Sequence, residues 1–192
     1  MLYNFEPVNS RKNTNSIKHD FHIALNRPAD AIPLWVADMD FLVPVEVEEA
    51  LLQTTKHGIY GYTDTGDDYL IALREWFAEG FDFHFEDRWL VKTPGVVFAI
   101  CMAIQALTNE GDAILIQQPV YHPFLNSILD NKRKPVDNSL VLQNGKYQVD
   151  ITDFENKIVT NDVKMFILCS PHNPVGRVWT PAVLKQIGDI CL

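Results

Sequence analysis

Basic residues are scarce in this 192-residue sequence. The 16 lysines and arginines are outnumbered by 25 aspartates and glutamates, which leaves a formal charge of −9 and argues against nucleic acid as the main partner. Long hydrophobic runs are also lacking, and the most apolar one, residues 96–104, is too short to cross a bilayer. The first residues contain no basic region followed by an apolar stretch, so no secretory signal is predicted. We expect a cytoplasmic protein without a membrane partner.

Cysteine and histidine are too sparse and too scattered for a metal site or a disulfide framework. Cys101, Cys169 and Cys191 lie far apart among apolar neighbours, which predicts buried free thiols in a reducing compartment. His122 and His172 have no Cys or His partner at metal-ligand spacing, so no metal is predicted. The Gly-rich fingerprints of dinucleotide and P-loop nucleotide sites are absent, which places a nucleotide-binding module last among the hypotheses.

Short apolar strands alternate with helices in the second half of the chain. The expected pairs of strand and helix are 89–92 with 96–107, 113–117 with 121–129, and 164–170 with a helix that begins at Pro181. This alternation is typical of an α/β fold whose mostly parallel sheet is buried on both faces. The sequence therefore predicts a three-layer sandwich.

The first half begins with a polar arm of about forty residues. Pro44 then opens an amphipathic helix that Gly58 ends, and a second helix is predicted over 67–79 with Gly80 as its C-cap. At the other end of the chain, the helix from Pro181 stops at Leu192 without a cap or a returning strand. We expect the chain to be the N-terminal piece of a longer protein.

A glycine turn precedes the most apolar helix. Gly95, Val96 and Val97 stand where unpaired backbone N–H groups and the positive end of the helix dipole favour a phosphate. An ordinary strand-to-helix turn would also use a glycine here, and pattern alone favours that simpler interpretation.

Two further segments follow strand ends, where open α/β sheets bind ligands. Asn173 lies between Pro171 and Pro174, so its amide is either held toward an acceptor or bonded to its own turn. Tyr121 follows another strand and would either stack on a planar ligand or pack under the turn. His172 alone is more typical of a surface or satisfied histidine than of a catalyst. Tyr60 and Tyr62, in a polar loop, indicate contact with a ligand or a partner subunit.

Five segments in this order resemble the pyridoxal-phosphate enzymes of the aminotransferase class I/II superfamily, fold type I, and within it the MalY/PatB cystathionine β-lyase group. They are Trp35–Phe41, Tyr60–Thr63, Pro94–Val97, Tyr121–Phe124 and Ser170–Trp179. The arm from Arg11 to Asp20 also resembles the family's Arg-x-x-Thr-x-Ser-x-Lys-x-Asp segment, although His19 stands where an aromatic residue is more usual. The resemblance covers nearly the whole chain but only the N-terminal half of the family's length.

The resemblance implies domain boundaries and cofactor contacts for particular residues. Residues 1–44 would be an N-terminal arm and small-domain segment, and 45–192 the N-terminal part of the large cofactor-binding domain. Backbone N–H groups around Gly95, Val96 and Val97 would bind the phosphate of pyridoxal 5′-phosphate. By the same resemblance, Tyr121 would stack on the pyridine ring and Asn173 would donate to its phenolic oxygen. Tyr62, with Tyr60 as the second choice, would reach the phosphate of the partner subunit's cofactor in a homodimer. Backbone at Ala37 and Asp38 would lie near the substrate carboxylate.

The family's Schiff-base lysine, its ring-nitrogen acid and its carboxylate-binding arginine would all lie beyond Leu192. No catalytic residue is therefore assigned in this chain, which we expect to be inactive alone. The implied activity of the parent protein is a C–S β-lyase that converts cystathionine or a cysteine S-conjugate to thiol, pyruvate and ammonia. Two alternatives stay open: a class I/II aminotransferase, and a truncated, non-catalytic interaction protein.

Overall fold

The computed structural model describes residues 10–21, 25–28 and 30–192, and the chain divides into two units, Met1–Phe81 and Asp82–Leu192. Residues 1–9 of the predicted arm lie outside the described residues. The domain boundary at 44/45 that the resemblance implies stays a prediction. No helix in the described ranges is long and apolar enough to cross a membrane.

The first unit is helical. Its helices are α1 (Ile17–Asp20), α2 (Val45–His57) and α3 (Asp67–Phe81). Gly58 ends α2 in the left-handed region at φ 70°, where its N–H bonds the carbonyl of Thr55, and this is a conformation that glycine adopts without strain. Gly80 does not cap α3 as predicted, because the helix continues to Phe81. A glycine inside a helix costs only about 1 kcal/mol, so it did not have to end there.

The apolar residues of α2 and α3 lie largely at the surface of the chain. Neither helix has a buried residue, and Val47 and Leu51 of α2 are exposed even though their spacing marks one helical face. Helical periodicity thus predicted where these helices form but not which neighbours cover them.

The second unit is built on a parallel sheet. Strand β1 (Ala113–Ile116) lies between β2 (Lys134–Asp137) and β5 (Val163–Phe166) and runs parallel to both. Strands β3 (Val141–Gln143) and β4 (Lys146–Gln148) form a separate antiparallel hairpin. All four residues of β1 are buried, which explains its unbroken apolar sequence.

Helices cover both faces of this sheet. Ile114 and Ile116 point toward α4 (Val96–Leu107) and α5 (Pro123–Asp130), in a cluster that includes Ile104, Phe124 and Ile128. Leu115 points the other way, toward Phe154 of α6 (Ile151–Thr160) and Ile187 of α7 (Pro181–Cys191). This alternation along β1 produces the three layers, so the predicted fold class is confirmed.

Several local predictions meet different outcomes. Helix α7 begins as predicted, with Pro181 in its first turn and the Thr180 hydroxyl accepting a hydrogen bond from the N–H of Val183. The strand predicted over 89–92 is wrong, since a 3-10 turn, Asp87–Trp89, precedes an irregular segment. The three cysteines are free, but the predicted burial is wrong, because Cys101 and Cys169 are half-buried and Cys191 is exposed.

Candidate functional site

The carboxyl ends of β1, β2 and β5 meet at one edge of the sheet. The loop after β1 leads to Tyr121 and the segment after β5 leads to Asn173. Helix α4 joins β1 through a short turn at residues 108–112, so the two run antiparallel and the N-terminus of α4 lies toward this same edge. The fold thus brings Gly95, Tyr121 and Asn173 to one side of the second unit.

Tyr121 lies just before α5. Its exposed ring packs edge-on against Phe124, with centroids 5.9 Å apart, and lies 5.6 Å from the ring of His122. The ring is therefore supported from within the chain while part of its surface stays open. The ring packs on its turn, as one interpretation predicted, and stacking on a planar ligand stays a prediction.

Asn173 lies in a tight turn after β5. Its backbone N–H donates to the Cys169 thiol sulfur, with N and Sγ 3.3 Å apart, and its side chain is exposed. The adjoining Asn173–Pro174 peptide bond is cis. The turn closes through two backbone hydrogen bonds, from the N–H of His172 to the carbonyl of Arg177 at 2.7 Å and from Gly176 back to His172 at 2.8 Å.

Gly95 is the N-cap of α4. Its backbone is extended, with φ 163° and ψ 164°, and a Cβ added here would meet no atom within 4 Å. Neither backbone conformation nor crowding within the chain therefore explains the glycine. The first-turn N–H groups of Val96 and Val97 have no intrahelical acceptors, and both residues are exposed. This open, positive helix end suits an anion.

A partly buried polar network supports the edge from the β2 side, and no local pattern in the sequence predicted it. Gln117, directly after β1, donates through its amide to Asn138, which donates in turn to the Asp153 carboxylate at 2.8 Å. Burial opposes ionisation of Asp153, but hydrogen bonds from Asn138 and Lys157 outweigh it and hold its pKa below the ordinary value. The charged carboxylate thus anchors α6 to the end of β2.

The two candidate tyrosines of the first unit differ in their contacts. The Tyr60 hydroxyl donates to the carbonyl oxygen of Thr55 at 2.7 Å, so it is engaged within its own chain. The Tyr62 side chain is fully exposed. These contacts favour Tyr62 over Tyr60 for a contact outside the chain.

Asp38 belongs to an ion cluster that the sequence analysis missed. The Arg11 guanidinium lies 2.6 Å from the Asp38 carboxylate and 3.2 Å from that of Asp40. The Lys18 ammonium donates to the Asp40 carboxylate and to the backbone carbonyl of Asp38, each at 2.8 Å. His19 adds a contact to Asp40 at 2.9 Å. The arm therefore holds the segment that contains Ala37 and Asp38 by charged hydrogen bonds.

Asp20 organises the arm itself. Its carboxylate accepts hydrogen bonds from the backbone N–H groups of Asn13, Thr14 and Ser16, at 2.9 to 3.0 Å. These bonds lower the pKa of Asp20, with that from Asn13 contributing most. The sequence did contain a signal of these arm contacts. The segment of the arm that resembles the family includes Arg11 and Lys18, which bind the Asp38 segment, and Asp20, which organises the arm.

Asp40 makes the arm's attachment sensitive to acid. Hydrogen bonds from Lys18, then His19 and Arg11, hold its pKa well below the usual range. Its contribution to stability is therefore complete above the ordinary aspartate pKa of about 3.9 and is lost as the pH falls below it. We expect Asp40→Asn to speed amide exchange at Asn13 and Thr14 at pH 7, with the difference from the unmodified protein shrinking toward pH 3.

Asp30→Asn, which neutralises an exposed carboxylate outside the cluster, is the matched control and should leave exchange at both amides unchanged. Equal exchange in the Asp40→Asn and unmodified proteins at pH 7 would contradict the role assigned to Asp40.

Comparison with known proteins identifies the lineage of this chain. The family described as aminotransferase class I and II matches residues 29–192. The chain belongs to this family.

Relatives within the aminotransferase class I and II family include lyases. Cystathionine β-lyase PatB of Bacillus subtilis is 39% identical over 189 residues, which cover 98% of this chain and 49% of PatB. Protein MalY of Escherichia coli is 29% identical over 99% of this chain and 49% of its own length. Cystalysin from Treponema denticola is 35% identical over 99% of this chain and 49% of its own. Its crystal structure contains pyridoxal 5′-phosphate and matches this chain with a TM-score of 0.89. The chain thus spans about half the length of these relatives.

Proposed function

We propose that the protein carrying this chain is a pyridoxal-phosphate-dependent C–S β-lyase that converts cystathionine or a related cysteine S-conjugate to thiol, pyruvate and ammonia. The observation that carries the proposal is the 39% identity to a cystathionine β-lyase across 98% of the chain. The similarity to cystalysin supports it at the level of the fold.

The residues at the sheet edge fit the cofactor. The phosphate would bind the open N-terminus of α4, at the N–H groups around Gly95, Val96 and Val97, where a side chain on residue 95 would point into space that the chain leaves empty. Tyr121 would supply a ring face and Asn173 an amide donor to the phenolic oxygen. Each is exposed and is held by contacts within the second unit.

When bound, the cofactor accepts the electron pair that remains after the substrate Cα loses its proton. The Asn173 donor would favour the anionic form of the phenolic oxygen, because a hydrogen bond to a charged form stabilises it. The Tyr121 ring would restrict the cofactor to one plane and exclude water from that face.

The lysine that attaches to the cofactor would come from outside these 192 residues. Lys18 is an unsuitable substitute because its ammonium is ion-paired with Asp40 and hydrogen-bonded to the carbonyl of Asp38. Lys92 is also unsuitable, because it lies just before the proposed phosphate turn and the lysine would have to follow a different strand. We therefore propose no catalytic residue within this chain and no turnover by it alone.

We further propose that the first unit contributes to the site in a homodimer. Exposed Tyr62 would reach the phosphate of the partner subunit's cofactor, with Tyr60 as the second choice. Backbone at Ala37 and Asp38 would lie near the substrate carboxylate, where the Arg11 and Lys18 charges offset those of Asp38 and Asp40. The free thiols are consistent with the cytoplasmic location that we propose.

The test supplies cystathionine to the purified full-length protein loaded with pyridoxal phosphate. We expect pyruvate and free thiol in equal amounts, and no amino group passed to an added keto acid. The Asn173→Ala variant should reduce pyruvate formation, because the phenolic oxygen loses its donor. Its rate and cofactor occupancy are measured together, so that loss of cofactor is separated from loss of chemistry.

Aminotransferase activity is the second candidate, and the family description itself favours it. The same assay decides between the two, since a transaminase passes the amino group to the keto acid and releases no thiol. Amino-group transfer without pyruvate would overturn the lyase proposal.

A further inference from the structure

His172 joins the two loops that carry the proposed ring contacts. Its imidazole is buried, with the residue 1% exposed, and its Nε2 lies 3.1 Å from the carbonyl oxygen of Pro119. Asn173 is the next residue after His172, and Tyr121 lies two residues after Pro119. The contact therefore connects the loop after β1 to the loop after β5. Along the chain it lies within about 7 Å of both Tyr121 and Asn173.

The imidazole is fixed in this position by the rest of its turn. The Trp179 ring packs edge-on against it with centroids 5.4 Å apart, and the Trp179 indole N–H donates to the carbonyl of Cys169 at 3.0 Å. The backbone of His172 is bonded to Arg177 and Gly176, as described above. With both backbone and ring held, the imidazole forms a rigid connection between the loops.

The ring's protonation state suits one directed hydrogen bond. Burial lowers the pKa of His172 below its ordinary value, while the carbonyl groups of Pro119, Gln117 and Cys169 oppose this effect. A neutral imidazole carries one proton, and at Nε2 that proton points to the Pro119 carbonyl. Nδ1 is then the acceptor nitrogen, and it has no partner among the residues that the structure describes.

The loop after β1 is held separately on its β2 side. The N–H of Gln118 donates to the Asp137 carboxylate at 2.9 Å, and the N–H of Leu140 donates to the carbonyl of Gln118 at 2.7 Å. These bonds fix the start of the loop to β2, whereas His172 fixes the following residue to the segment after β5. Removing the imidazole bond would leave the β2 attachment intact and free the β5 side.

We propose that His172 is a positioning residue that sets the separation between the Tyr121 ring and the Asn173 amide, and with it the width of the slot for a planar, phosphorylated pyridine. The inference rests on the proposed function, because the slot has this role only if Tyr121 and Asn173 contact the cofactor. His172 itself does not touch the cofactor in this scheme and acts through the two loops.

The test compares His172→Leu, which removes the hydrogen bond, with His172→Gln, whose amide nitrogen can replace Nε2 as a neutral donor. The full-length protein is titrated with pyridoxal phosphate, and the circular dichroism of the bound ring is recorded with the affinity. We expect the leucine variant to bind about ten- to a hundredfold more weakly with an altered ring signal, and the glutamine variant to recover most of both.

Trp179→Phe is the matched control, because it removes the bond to Cys169 and weakens the same turn without breaking the contact to Pro119. It should lower stability and change cofactor affinity by less than the leucine variant does. Equal losses in Trp179→Phe and His172→Leu would overturn the proposal, as would unchanged binding in His172→Leu.

Amide exchange provides a readout that is independent of the cofactor. His172→Leu should speed exchange on both sides of the link, at Phe124, whose N–H donates to the Tyr121 carbonyl, and at Asn173. Trp179→Phe should do so only around Asn173. Failure of the unmodified protein to bind pyridoxal phosphate would refute the proposed function, and the exchange comparison would still test the link. Unchanged exchange at Phe124 in the leucine variant would overturn the proposed link.

Discussion

Phe154→Ala is expected to lower the free energy of unfolding by about 3–5 kcal/mol, the range for removing a fully buried aromatic ring and leaving a cavity. Phe154 is completely buried beneath the sheet, against Leu115 and Ile187, and its ring meets that of Phe166 edge-on with centroids 5.0 Å apart. The loss would be measured by urea unfolding of the protein that carries the chain, with circular dichroism and tryptophan fluorescence recorded together.

Val159→Ala on the same helix is the control. Val159 is exposed, so its truncation should change the unfolding free energy by no more than about 0.5 kcal/mol. A Phe154→Ala loss as small as that of the control would contradict the packing of α6 on β1.

The second unit was largely predictable from its sequence because the signals that define it are local. Helix α7 is marked by Thr180 and Pro181, whose hydroxyl and fixed φ favour a helix start wherever they occur. Strand β1 is a run of four apolar residues, the pattern of a parallel strand buried on both faces. Gly95 before the apolar run of α4 likewise marked the turn where the helix begins.

The connections between distant segments could not be predicted in the same way. Arg11 pairs with carboxylates 27 and 29 residues away, and His172 bonds a carbonyl 53 residues away. No local pattern specifies such partners, since hydrophobic periodicity and turn chemistry act over a few residues. Of the two interpretations of His172, the surface one is wrong and the satisfied one agrees with its bond to the Pro119 carbonyl. No local pattern predicted that this bond connects two loops.

The strand predicted over 89–92 failed for a related reason. Trp89 and Val91 have strand-forming side chains, but strand propensity depends on a neighbouring strand to pair with. In the described part of this unit the pairs form between β1 and its two neighbours and between β3 and β4, and Trp89 ends a 3-10 turn instead.

The end of β1 was predicted to within one residue, at 117 against Ile116, whereas the strand predicted over 164–170 ends at Phe166. The order of strand, turn and helix around Tyr121 and Asn173 was still predicted, because the apolar runs on either side mark it.

Gly95→Asp is expected to weaken cofactor binding in the protein that carries the chain without lowering the stability of α4. Aspartate is a preferred N-cap residue and favours the positive end of the helix dipole, and its Cβ meets no atom within 4 Å here. We therefore expect unchanged or slightly greater stability, by a few tenths of a kcal/mol. If the phosphate binds at this helix end, the added carboxylate would repel it. Unit charges about 4 Å apart repel by about 4 kcal/mol at an effective dielectric of 20, which corresponds to a loss of pyridoxal phosphate affinity on the order of a thousandfold.

Gly95→Asn is the matched control, since it has nearly the same shape and capping ability without the charge. Its cofactor affinity should lie much closer to that of the unmodified protein, and the gap between the asparagine and aspartate variants should narrow as salt screens the repulsion. Equilibrium dialysis with pyridoxal phosphate measures both affinities, and thermal unfolding measures stability. Full cofactor binding by Gly95→Asp would mean that the phosphate does not sit at the N-terminus of α4. Equal losses in the two variants would mean that a side chain at residue 95 excludes the phosphate by its volume rather than its charge.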